Sequence, residues 1–146
     1  MGIPALPFSK MTLIAPKPLK EKLNENPVSL GDKIRNRRLE LRMLQKDVAD
    51  LIGVSEDSIT YWENNKVEPT VKKYPGIIQF LGYVPFEFDK TTLGGRIRMY
   101  RYLRGLSQED LAMQIGVNES TIFHYENNKH QPCRKIMKEL ALVFII

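Results

Sequence analysis

The tetrapeptide Glu63-Asn64-Asn65-Lys66 returns 63 residues later as Glu126-Asn127-Asn128-Lys129, and Pro69 and Pro132 follow at equal distances. Lysine is a point charge suited to phosphate, and asparagine tolerates the left-handed backbone of a tight turn. These residues could bend a chain against a polyanion. Other chemistry is scarce. His124, His130 and Cys133 are the only histidine or cysteine side chains, too few at this spacing for a closed zinc site. No nucleophile–base pairing or phosphate-binding loop stands out. The expectation is no enzyme, no metal centre and no cofactor.

The 146-residue chain carries a formal charge of +5, which fits a polyanionic partner. A single cysteine precludes an internal disulfide and points to a reducing compartment. No apolar run reaches the roughly 18 residues of a membrane span, and the N-terminus does not read as a secretory signal. The expected location is cytoplasmic.

The tetrapeptides belong to a longer duplication. Residues 30–69 align without a gap on 93–132, with 18 identities in 40 positions. Each unit reads as short helices, so the fold class is all-α. In the second, Leu93, Ile97 and Tyr100 follow helical spacing, and Gly105 ends that helix. Ser107 caps the next, with Asp110 three residues on. Leu111, Ala112 and Ile115 form its inner face, Gly116 stops it, and Asn118 caps a third helix carrying Ile122 and Tyr125 inward. A fourth helix after Pro132 carries Ile136, Leu140 and Val143. The first unit repeats this with Ile34, Val48, Ala49, Ile52, Gly53, Ser55, Ile59 and Trp62. Its fourth helix is expected from Pro75, with Ile77, Ile78 and Leu81 inward. Leu44 stands where Ser107 caps, which should weaken that helix start by roughly 1 kcal/mol.

Two helices joined by a short turn with a central glycine make a helix-turn-helix. The second of them then presents polar residues on its outer face, able to enter a major groove. "LSQEDLAMQIGVNESTIFHYENNKHQP" and "QKDVADLIGVSEDSITYWENNKVEP" resemble the Cro/lambda-repressor-like, or XRE-type, helix-turn-helix regulators. The resemblance implies tandem helical bundles that bind operator DNA, in a family whose members often act as dimers.

By the same resemblance, Gln45 and Gln108 anchor phosphate. Ser55, Glu56, Asp57, Ser58 and Tyr61 in the first unit, and Asn118, Glu119, Ser120, Thr121 and His124 in the second, meet base edges. Arg38–Glu63 and Arg101–Glu126 are the family's buried ion pairs. Asn65-Lys66 and Asn128-Lys129 should lie near the DNA backbone, as should Arg35 and Arg98. Lys33, Arg37, Arg42 and Lys46 lie near Arg35 and could also hold phosphate.

The domains so read are a Pro-rich arm (1–29), a first helix-turn-helix domain (30–88), a hinge (89–92) and a second domain (93–146) that looks cut short. Lys10, Lys17, Lys20 and Lys22 on the arm could touch phosphate. In "GYVPFEFDKTT", Tyr83, Val84, Phe86 and Phe88 should pack on the first unit. Eleven extended residues reach about 36–40 Å, close to the about 34–36 Å between half-sites one DNA turn apart. The apolar ending "KELALVFII" should be buried in the core or against a second copy, a homodimer contact.

Residues 30–92 hold ten basic and ten acidic side chains, and residues 93–146 hold eight and five. The second unit, at net +3, is the better candidate for dominant DNA contact. The first, with Glu56-Asp57 facing the polyanion, reads weakly or serves as a docking module. The reading is a sequence-specific double-stranded DNA-binding regulator. The alternative is an antitoxin- or coactivator-like protein-interaction adaptor of the same fold. No pattern identifies an effector.

Overall fold

The computed structural model describes residues 21–145, and every regular element among them is helical. The arm residues 1–20, including Lys10, Lys17 and Lys20, and the terminal Ile146 lie outside the described residues. The first unit comprises α1 (Leu30–Glu40), α2 (Gln45–Ile52), α3 (Glu56–Glu63), a 3-10 turn (Val71–Lys73) and α4 (Tyr74–Leu81). The second comprises α5 (Leu93–Arg104), α6 (Gln108–Ile115), α7 (Glu119–Glu126) and α8 (Arg134–Ile145). No described helix is long and apolar enough to cross a membrane.

Each unit closes on its own apolar cluster. Ile34, Val48, Ala49, Ile59, Trp62 and Ile77 are among the buried residues of the first. Ile97, Leu111, Ala112, Ile122, Tyr125 and Leu140 are their counterparts in the second. The helix ends follow local chemistry. Ser29 caps α1 in a reciprocal box with Asp32, and Ser107 does the same for α6 with Asp110. At α2 only half the box survives. Leu44 has no side-chain acceptor, but its backbone N–H donates to Asp47 Oδ2 at 2.8 Å. Asn118 occupies the cap position of α7 without the expected side-chain bond.

The repeat extends past residue 132. Ile77 and Leu140 are buried at the same offset, as are Phe80 and Val143. Phe80 is a core residue that the expected face of α4 omitted. In unit one the fourth helix is split into a 3-10 turn and α4, with Pro75 in its first turn. Proline has no N–H to continue a helical ladder. Lys138 stands at that position in unit two, where α8 runs unbroken. Phe144 packs against the second core and the Tyr100 ring.

The expected hinge is a hydrogen-bonded turn. Asp89 Oδ1 accepts from the Thr91 N–H at 2.9 Å, the Asp89 carbonyl accepts from Thr92 Oγ1 at 3.3 Å, and Thr92 caps α5. Tyr83 and Val84 are exposed rather than packed. Phe86 packs on Tyr74 as expected, but it also meets Tyr102 of α5, with ring centroids 5.4 Å apart. Tyr102 lies 5.0 Å from the Tyr74 ring and 5.3 Å from Phe88. It therefore joins the first unit's core from the second unit. Gly105 fits beside it because an added Cβ would sit 3.0 Å from the Pro75 ring. The units are packed together, not tethered by a slack linker.

Candidate nucleic-acid interface

The helix pairs α2–α3 and α6–α7 each turn on a left-handed glycine, Gly53 at φ 78° and Gly116 at φ 73°. The next amide closes each turn: Val54 N–H donates to Ala49 at 3.0 Å, and Val117 N–H to Ala112 at 2.9 Å. Buried Ile59 and Ile122 hold the inner faces of α3 and α7. The first turns of these helices are left at the surface. Ser55, Glu56, Asp57 and Tyr61 are exposed in unit one, as are Asn118, Glu119 and Ser120 in unit two. Ser58, Thr121 and His124 are half-buried. Glu56, Asp57 and Glu119 sit where the partial positive charge of a helix N-terminus favours a carboxylate. That is a structural reason for acidic residues at these positions.

The other ends of α3 and α7 are pinned from inside. Arg38 Nε and Nη2 donate to the two carboxylate oxygens of Glu63 at 2.7 and 2.8 Å. Arg101 and Glu126 form the same bidentate pair. All four side chains are buried. Hydrogen bonding to Glu63, opposed by burial, raises the Arg38 pKa further above its ordinary value. Gln45 Nε2 and Gln108 Nε2 also donate to these glutamates, each at 2.9 Å. The glutamines expected at phosphate thus have their amide nitrogens turned inward. Each adds a second donor to a buried carboxylate oxygen that the arginine already bonds.

The repeated tetrapeptide resolves into separate tasks. Asn64 and Asn127 end the helices, each donating its side-chain amide back one turn, to Thr60 and Phe123, at 2.8 and 2.7 Å. Asn65 and Asn128 take left-handed backbones, at φ 57° and 54°. Their exposed side chains meet the first helix of the same unit: Gly94 N–H donates to Asn128 Oδ1 at 3.1 Å, and Asn65 Nδ2 to Asp32 at 3.5 Å. Gly31 and Gly94 permit this approach. A Cβ there would lie 1.9 Å from the Trp62 carbonyl oxygen and 2.4 Å from that of Glu126. Lys66 and Lys129 remain exposed just past the C-terminal ends of α3 and α7.

The helix-turn-helix family model matches residues 34–88 and 97–145. The chain belongs to the Cro/C1-type helix-turn-helix family. Two archaeal relatives named as uncharacterized HTH-type transcriptional regulators are each 39% identical over 49 residues, or 34% of this chain. One, from Methanocaldococcus jannaschii, is covered over 74% of its length, and the other, from Archaeoglobus fulgidus, over 70%. The type II methyltransferase M1.ScrFI of Lactococcus lactis subsp. cremoris is 29% identical over 99 residues. That match covers 66% of this chain but only 25% of the methyltransferase. No solved structure matches.

Within this helix-turn-helix frame, much of the expected basic cluster is engaged by the protein itself. Lys33 Nζ donates to the Pro85 carbonyl at 3.1 Å, and Arg37 Nε to that of Phe80 at 3.3 Å. Arg35 pairs with Glu21 at 3.0 Å, and Arg98 lies 3.7 Å from Glu126. Arg42 and Lys46 stay exposed. His124 packs edge-on against His130 with centroids 5.1 Å apart, while Cys133 is exposed. No group of three or more potential metal ligands occurs among the described residues.

Phe123 lies outside the set of expected contact residues. It is 45% exposed on α7, one turn after Glu119. Its signal was its place in the helical register, which puts residues four apart on one face.

Proposed function

We propose that this protein is a sequence-specific transcriptional regulator that inserts α3 and α7 into the major groove of double-stranded DNA. The observation supporting this most strongly is the repeated arrangement of each reading helix. Its C-terminal end is locked by a buried ion pair while its first turn stays open to solvent. Ser55, Asn118, Ser120 and Thr121 can donate to or accept from base edges, and Glu56 and Glu119 can accept from cytosine N4. Lys66 and Lys129 supply phosphate contacts that fix register without reading sequence. Unit two, with net charge +3 against zero, makes the dominant contact. Gln45 and Gln108 act chiefly by orienting the pinning glutamates.

The experiment is selection of bound sequences from random duplexes, followed by salt titration of variants. Binding should weaken steeply with salt. Lys129→Ala should weaken all duplexes alike and lower the salt slope by about one contact, whereas Thr121→Ala or His124→Ala should change the preferred sequence. Equal affinity for every duplex, unchanged by the last two substitutions, would refute base reading.

A second reading concerns unit one. Leu41, Leu44 and Leu51 are exposed there, at positions that carry Arg104, Ser107 and Gln114 in unit two. Leu41 and Leu51 flank a groove of about 260 Å³ floored by Gly76 and Phe80. This apolar face supports a protein-docking role for unit one, including homodimerisation. Sedimentation of the protein and its Leu51→Lys variant tests dimerisation: an unchanged monomer in both would exclude it.

A further inference from the structure

The two reading helices differ most at one register position. Thr60 of α3 is half-buried, and its one hydroxyl proton is within reach of two acceptors, Gln45 Oε1 at 2.9 Å and the Glu56 carbonyl at 3.2 Å. The equivalent residue of α7 is Phe123, which can make neither bond and stands out of the surface. A lone exposed phenyl needs no explanation on an ordinary surface. Here it projects from the helix face that carries Glu119, and it is flanked rather than covered. The Lys129 ammonium lies 5.7 Å from the ring centroid, and the His124 ring lies edge-on at 5.6 Å. The ring is thus fenced by a cation suited to phosphate and by a second aromatic group, while nearly half its surface stays open.

Major-groove base edges offer donors and acceptors, which a phenyl cannot use. The apolar group they present is the C5 methyl of thymine. A cytosine methylated at C5 presents the same group in the same place. We propose that Phe123 reads the C5 methyl of a pyrimidine, so that the second unit distinguishes thymine or 5-methylcytosine from bases lacking that methyl. The assignment rests on α7 entering the major groove. Unit one has no equivalent subsite, because Thr60 is turned to Gln45.

The test uses the full chain and a duplex recovered by selection from random DNA. Each thymine is replaced in turn by deoxyuridine, which removes only the methyl, and affinity is read by fluorescence anisotropy. One position should weaken binding about four-fold, the effect of leaving one methyl group unburied. Cytosine at that position should also bind weakly, and 5-methylcytosine there should recover part of the loss. Phe123→Ala should bind the thymine and uracil duplexes equally. Phe123→Leu, which keeps an apolar side chain, should retain part of the preference and remains informative if the alanine variant melts early by circular dichroism. Suppose selective binding persists and His124→Ala still alters it, yet no uracil replacement matters or Phe123→Ala keeps the full penalty. The methyl subsite is then overturned while groove reading stands. Absence of binding to any duplex at low salt overturns both.

Discussion

Unit one and unit two present the same helix-turn-helix with different compromises. Unit two has Ser107 at the cap where unit one has Leu44, and Gly105 at the left-handed turn where unit one holds Arg42 at φ 54°. Unit one in turn has the single tryptophan in its core, a second aromatic layer from Phe86, and Tyr102 supplied by its neighbour. The unit with poorer local signals is therefore the one supported most by long-range packing. Local preference and tertiary burial compensate for one another across a duplication, which lets the surfaces of the copies diverge while their interiors stay alike.

The strongest way to probe that balance is to break the buried pairs. Glu63→Ala and Glu126→Ala should each cost about 3–5 kcal/mol, because a buried arginine is left without its carboxylate. Trp62 fluorescence reports unit one alone, while circular dichroism reports both, so denaturant titration separates them. If unit one draws support from unit two, Glu126→Ala will also lower the Trp62 midpoint. Tyr102→Ala should cost about 2 kcal/mol, below the range for a fully buried aromatic because the ring is only half-buried. It should also split one unfolding transition into two.

Smaller changes sharpen the comparison. Leu44→Ser should stabilise unit one by about 1 kcal/mol, and Ser107→Ala should destabilise unit two by a similar amount. Arg42→Gly removes about 1–2 kcal/mol of left-handed strain but adds unfolded-chain entropy worth about 0.4–1 kcal/mol. A gain of about 0.5 kcal/mol in the Trp62 transition is expected. The smallest effect is acid sensitivity of α6. Hydrogen bonds from the Ser107 backbone and side chain hold the Asp110 pKa below its ordinary 3.8. The stabilisation is present above that unfolded value and lost as pH falls through the lower folded one. Ser107→Ala should flatten this acid limb of the melting-temperature curve.

Most of the fold was legible because its signals are local. Glycines at 53, 105 and 116, serines at 55 and 107, and the apolar spacing of Ile34, Ile59, Ile97 and Ile122 each act within one or two turns. The ion pairs were legible through family resemblance rather than spacing. The partners of the basic side chains were not legible because long side chains reach remote groups: Lys33 bonds a carbonyl 52 residues away, and Arg37 one 43 residues away. Neither separation has a sequence signature. Tyr102 was overlooked for the same reason, since its burial depends on another unit's surface. Asn65 and Asn128 have the left-handed backbone that asparagine tolerates. Their left-handed turn is a local property, but the first helix that their side chains meet lies over thirty residues upstream.

The aromatic junction at Tyr102 has a consequence for any duplex engaged at both ends. Under the proposed reading, the packing of Tyr102 on Tyr74, Phe86 and Phe88 holds α3 and α7 to one relative placement. Inserting a single base pair between half-sites rotates one of them by about 35° about the duplex axis. The nucleic acid would have to absorb that change by twisting or bending, so elasticity of the intervening steps becomes part of target choice even where no side chain touches them.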